Sequence, residues 1–116
     1  RSTLFPYTTL FRSPGIGISS EALFAKASKL PRVEIFKKPA SVIGNDTISS
    51  IQSGIIYGYA GMVDGMIARI SAELGTRPKV IATGGLAPLM QHVATCIEAV
   101  ESDLTLVGLK IIADRL

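Results

Sequence analysis

With one cysteine in 116 residues, the chain closes no internal disulfide. Cys96 therefore excludes a disulfide-stapled scaffold, and a reducing compartment is the simplest reading. Charged residues are scarce at 18% and aromatic residues at 6%, against 47% hydrophobic residues. That balance excludes disordered and collagen-like chains and leaves ample apolar material for a core. No apolar run has membrane-spanning length, since the richest stretch, residues 51–70, contains Asp64 and Arg69. The single histidine, His92, has no partner at catalytic or metal-ligand spacing. A Walker lysine loop, zinc-ligand spacing and a G-x-S-x-G elbow are also absent. What remains is a cytoplasmic domain, of a length that suits one domain or half of a larger one.

The first thirteen residues, RSTLFPYTTLFRS, differ from the rest. They repeat Thr-Leu-Phe, contain no acid and show no helical period. Residues 1–13 read as a translated sequencing adapter, foreign to a body formed by residues 14–116, and are set aside from fold reasoning. The alternative is a native β-hairpin around Pro6-Tyr7, because Leu, Phe, Tyr and Thr suit strands. The net charge is +3, and Arg1 and Arg12 are the only charges in this segment, so the body carries 3 − 2 = +1. A near-neutral body has little electrostatic footprint for nucleic acid.

From Pro14 onward helical and strand signals alternate, which predicts an α/β domain. Ser19 and Ser20 are good cap residues for a short helix reaching Lys29, stopped by Pro31. Residues 33–36 are β-prone. Asn45, Asp46 and Thr47 offer cap oxygens to a long helix with apolar positions Ile48, Ile51, Ile55, Tyr59, Met62, Met66, Ile70 and Leu74, ended by Gly75. Such a helix would be roughly 42 Å long. Within it Gly54, Gly58, Gly61 and Gly65 form one stripe. Each glycine costs about 1 kcal/mol relative to alanine. The stripe points either to a close helix–helix crossing, inside the chain or across a dimer, or to a kinked core helix. Further strands are expected at residues 79–83 and 97–100, with a helix at residues 86–93 between them. A last helix, capped by Asp103, would carry Leu106, Leu109, Ile112 and Ala113 on its apolar face.

Two places suit a ligand. In Val80-Ile81-Ala82-Thr83-Gly84-Gly85, a glycine pair at a strand's carboxyl end lets phosphate or ribose approach the backbone. The same pair also has a purely conformational use in such turns. Thr47 puts a hydroxyl at the positive end of the long helix, where it suits an acceptor oxygen or an anion; alternatively Thr47 or Asp46 simply caps the helix. Cys96 has no assured base beside it and reads as a small core side chain. Lys37 and Lys38 read as a solvated loop.

The segments Pro14-Gly15-Ile16, Leu30-Pro31, Ile43-Gly44-Asn45-Asp46-Thr47, Gln52-Ser53-Gly54 with Tyr57-Gly58, Val80 through Gly85, and Asp103-Leu104-Thr105-Leu106-Val107-Gly108-Leu109 form an ordered series. That series resembles the type III pantothenate kinases. The resemblance covers residues 14–116. It implies transfer of the γ-phosphate of ATP to pantothenate, the first step of coenzyme A synthesis. It also implies a ribonuclease-H-like lobe of the acetate kinase, sugar kinase and actin type, Mg²⁺, and a monovalent cation such as K⁺ or NH₄⁺. The family is typically a homodimer, and the glycine-striped helix suits its helix-mediated contact. By resemblance Thr47 contacts pantothenate, and Gly84 and Gly85 lie near the nucleotide.

The family's Asp-x-Gly-Asn-Thr phosphate loop, its Gly-x-Asp-Arg segment with the catalytic aspartate, and its Asp-x-Gly-Thr-Ala segment do not occur here. The chain therefore reads as the C-terminal half of such a kinase, with no catalytic base of its own and no turnover alone. Two non-catalytic alternatives are a dimerisation module built on the glycine helix and a transcription-accessory factor. Direct DNA binding is disfavoured by the near-neutral charge.

Overall fold

The computed structural model describes residues 13–27, 29–34 and 37–116. Both readings of the leading segment fall on residues 1–12, outside the described residues, apart from Ser13. The chain divides into two compact units, Arg1–Leu30 and Pro31–Leu116.

In the first unit, α1 (Ile16–Lys26) starts three residues before the serines expected to cap it. Gly15 takes the cap position in an extended conformation, and the Ser19 N–H reaches its carbonyl at 3.0 Å. Ser20 lies inside the helix instead, where it is buried and its hydroxyl donates to the Ile16 carbonyl at 2.6 Å. A serine in a helix interior satisfies its hydroxyl by this back-bond, so its cap preference alone does not place a boundary. The helix ends at Lys26, short of Lys29, in a turn closed by the Leu30 N–H on the Ala27 carbonyl.

The second unit is built on α2 (Thr47–Leu74), 28 residues long. Both ends follow from local chemistry: Asp46 caps the start and Gly75 closes the end in the left-handed region, φ 73°. A β–α–β unit follows, formed by β1 (Ile81–Ala82), α3 (Ala87–Val93) and β2 (Ala99–Val100). The strands pair in parallel with Ile81 opposite Ala99 and Ala82 opposite Val100. Flanking bonds from Glu98 N–H to the Val80 carbonyl and from Glu101 N–H to the Ala82 carbonyl extend the ladder. The strands are shorter than expected, and Val33 and Glu34 form no strand; residues 35–36 lie outside the described residues. Helix α3 packs on α2 and on β2. The last helix, α4 (Leu104–Arg115), has Asp103 at its cap position, but the Asp103 side chain makes no capping bond. No residue of α4 is buried; Leu106, Leu109 and Ile112 are all exposed.

The core of this unit contains Ile55, Ile56, Ala60, Ala87, Ala94 and Cys96. Ile55 of the expected apolar face is buried, but its members Ile48, Met62 and Leu74 are exposed, and Ile56, 0% exposed, stands outside that face. Besides Ile55, the buried residues of α2 are Ser53, Ile56 and Ala60. An apolar count misses this set because a serine holds its upper position. Of the readings of the glycine stripe, a crossing inside the second unit is corrected. Gly54, Gly58, Gly61 and Gly65 face open space, with no heavy atom within 4 Å of where a Cβ would stand. Within the second unit no described helix crosses α2 there. No described helix is long and apolar enough to cross a membrane.

Candidate functional site

The entrance to α2 is held by reciprocal bonds. The Ser49 N–H donates to Asp46 Oδ1 at 2.7 Å, while Ser49 Oγ accepts from the N–H groups of Asn45 (3.0 Å) and Asp46 (3.2 Å). This capping box satisfies donors on both sides of the helix start. The Ser49 backbone N–H, and then its hydroxyl, hold the Asp46 carboxyl below its ordinary value of 3.8. The cap is thus Asp46. Thr47 is the first helical residue, exposed, and its hydroxyl takes no part in the cap.

Gly44 sits where the loop turns into the helix. A Cβ there would stand 2.6 Å from Ser50 Cα and 2.5 Å from its nitrogen. Only glycine lets the chain pass so close. The loop is tied to α2 further along as well. Gln52 Nε2 donates to the Glu34 carbonyl at 3.0 Å, the Ser53 hydroxyl to the Val42 carbonyl, and the Tyr57 hydroxyl to the Pro39 carbonyl at 3.0 Å.

Gly84 follows β1 with φ 106°, a conformation that side chains rarely adopt, and its carbonyl accepts from the Ala87 N–H at 3.2 Å. The turn's geometry therefore requires glycine at this position. Gly84 and Gly85 are both exposed and leave their surroundings open. Among the described residues no hydrogen bond joins Thr47 to Gly84 or Gly85; they share the second unit through the packing of α2 on α3.

Sequence reasoning treated Asp64 only as a charge interrupting an apolar run. In the fold it ties the α3–β2 connection to the middle of α2. The Thr95 N–H donates to both carboxylate oxygens at 3.0 Å, and the Cys96 N–H donates to Oδ1 at 3.0 Å. Burial pushes the Asp64 carboxyl upward, but the donors of Cys96 and Thr95 together outweigh it, and the pKa lies below 3.8. Burial, and then the facing Asp64 carboxylate, push the Cys96 thiol up to about 11. Cys96 is buried, as expected for a small core side chain, and the raised pKa disfavours its thiolate near neutral pH. A cleft of about 330 Å³ opens beside this cluster, between Asp64, Ser71, Arg77 and Cys96. His92, Lys37 and Lys38 are exposed. No three His, Cys, Asp or Glu side chains converge among the described residues.

The site can be compared with known proteins. A relative named type III pantothenate kinase from Desulfatibacillum aliphaticivorans is 69% identical over 103 residues, covering 89% of this chain and 40% of its own. Proteins of the same name from Desulforapulum autotrophicum and Brevibacillus brevis are 62% and 55% identical over 103 residues, with 39% and 40% of their lengths covered. The chain therefore spans about 40% of the length of the curated relatives it matches. The family model described as type III pantothenate kinase matches residues 12–69, which take in α1, the strapped loop, Thr47 and most of α2. With the capped helix entrance lying inside that match, the chain belongs to the type III pantothenate kinase family.

Proposed function

We propose that this chain supplies the pantothenate-side wall and part of the nucleotide wall of an ATP-dependent kinase that converts pantothenate to 4'-phosphopantothenate. The observation that carries the reading is the helix entrance. Asp46 takes the cap and leaves the Thr47 hydroxyl exposed at the positive end of a 28-residue helix. A hydroxyl placed there orients an acceptor oxygen of the substrate. Gly84 and Gly85, exposed on a turn that needs glycine, leave room for a nucleotide to lie against the backbone. The parallel β–α–β unit is compatible with a ribonuclease-H-like lobe, in a body taken as residues 14–116. ATP follows from the family; Mg²⁺ and K⁺ or NH₄⁺ would neutralise charge on the transferred phosphoryl group when bound. The setting is cytoplasmic.

Phosphoryl transfer to a hydroxyl needs a base and charge neutralisation beyond what Thr47 and the glycine turn provide. The expected result is binding without turnover. Pantothenate titrated into the isotope-labelled chain shifts the amide resonances of residues 43–47, and Thr47→Val weakens that binding about tenfold. A coupled ATP/pantothenate assay gives no product. Unchanged affinity in Thr47→Val, or clear turnover by the chain, contradicts the reading.

The exposed glycine stripe supports a homodimer, because among the described residues of the second unit nothing lies within 4 Å of where a Cβ would stand on the four glycines to offset their cost in α2. Replacing Gly58 and Gly61 with leucine is expected to abolish self-association in sedimentation velocity. Identical sedimentation of variant and parent removes the stripe from the interface.

A further inference from the structure

Three successive turns of α2 each direct a hydroxyl at the loop that precedes it. Ser49 meets the N–H groups of Asn45 and Asp46, Ser53 meets the Val42 carbonyl, and Tyr57 meets the Pro39 carbonyl. The helix positions step by four and the loop positions by about three. Four helical residues rise roughly 6 Å, whereas three extended residues span roughly 10 Å. The loop is therefore folded back along the helix rather than stretched over it. Pro39 of the loop and Ser53 of the helix are buried where the two meet, while Val42 and Ile43 are 64% and 81% exposed. The backbone faces the helix, and an apolar surface faces away from it, immediately before Thr47.

We propose that Ser53 and Tyr57 are positioning residues for the acceptor site. By holding the carbonyls of Val42 and Pro39 they set loop 39–46 beside Thr47. The inference rests on the reading of Thr47 as a pantothenate contact. Apolar side chains at 53 and 57 would bury the same interface without fixing it lengthwise. Hydroxyls aimed at particular carbonyls determine which loop residue lies on which turn. With that register fixed, residues 42–43 and Thr47 form one preorganised wall, and the substrate does not have to order the loop as it binds.

The test uses the full chain and pantothenate itself. Ser53→Ala and Tyr57→Phe are each expected to keep the helical circular dichroism. Each raises the pantothenate Kd about three- to tenfold, the scale of one lost hydrogen bond. Amide exchange of residues 43–46 speeds up by a similar factor. Ser53→Thr, which keeps the hydroxyl, restores both. Faster exchange with unchanged Kd reduces the strap to a structural role and overturns the proposal. Unchanged exchange and Kd overturn it as well, and if Thr47→Val still weakens binding, the substrate reading survives alone. Absence of pantothenate binding by the parent chain removes both. If Ser53→Ala loses helical signal, Tyr57→Phe decides, since it removes only an oxygen.

Discussion

Gly44→Ala destabilises the second unit by about 2–4 kcal/mol, a large share of a small domain's stability. The added methyl would stand 2.6 Å from Ser50 Cα and 2.5 Å from its nitrogen, inside the first turn of α2. Backbone cannot rotate away as a flexible side chain can, so either the loop lifts or the helix start unwinds. Lifting the loop separates Asn45 and Asp46 from Ser49, and the cap is lost together with the space. The φ of Gly44 lies outside the left-handed range, so the effect comes from the close approach alone. Urea unfolding followed by helical circular dichroism measures it. An alanine variant within about 0.5 kcal/mol of the parent would show that the loop does not press on the helix as described.

The second large effect is expected at Asp64. Asp64→Ala leaves the N–H groups of Thr95 and Cys96 without their acceptor and costs about 1–2 kcal/mol at neutral pH; the carboxylate is only half-buried, and solvent replaces part of the bond. The pH dependence has a definite sign. The folded pKa lies below the ordinary 3.8, so the folded state favours the ionised form. Its stabilisation is complete above the unfolded pKa, declines as pH drops below about 3.8, and is gone once the folded pKa is passed. The difference between parent and Asp64→Ala is therefore widest at pH 7 and narrows below pH 4. Urea midpoints at pH 7 and pH 3 measure both. A gap that widens in acid would mean that Asp64 acts through something other than its ionised acceptor oxygens.

The residues of α2 illustrate what can be read locally and what cannot. Asp46 and Gly75 mark its ends because a cap needs only a side-chain oxygen within three residues, and a left-handed closure needs only a glycine. The buried face was not legible in the same way. The apolar spacing nominated Ile55, which is buried, but also Ile48, Met62 and Leu74, all exposed, and it omitted the fully buried Ile56. Ser53 lies on that face because the loop carbonyl, not an apolar neighbour, satisfies it. The glycine stripe was legible as a spacing, but the side that faces it was not, since open space leaves no mark on a pattern.

The sequence by itself determined the helix with its two ends, the glycine conformation after β1, and the family. All of these depend on residues within a few positions of one another or on an ordered series of short segments. Only the tertiary structure decided the work of Ser53, Tyr57 and Asp64, whose partners lie 11, 18 and 31 to 32 residues away along the chain. A hydrogen bond over that separation exists only once the chain has folded back on itself. A serine, a tyrosine or an aspartate reads the same in a sequence whether water or a distant backbone atom is its partner.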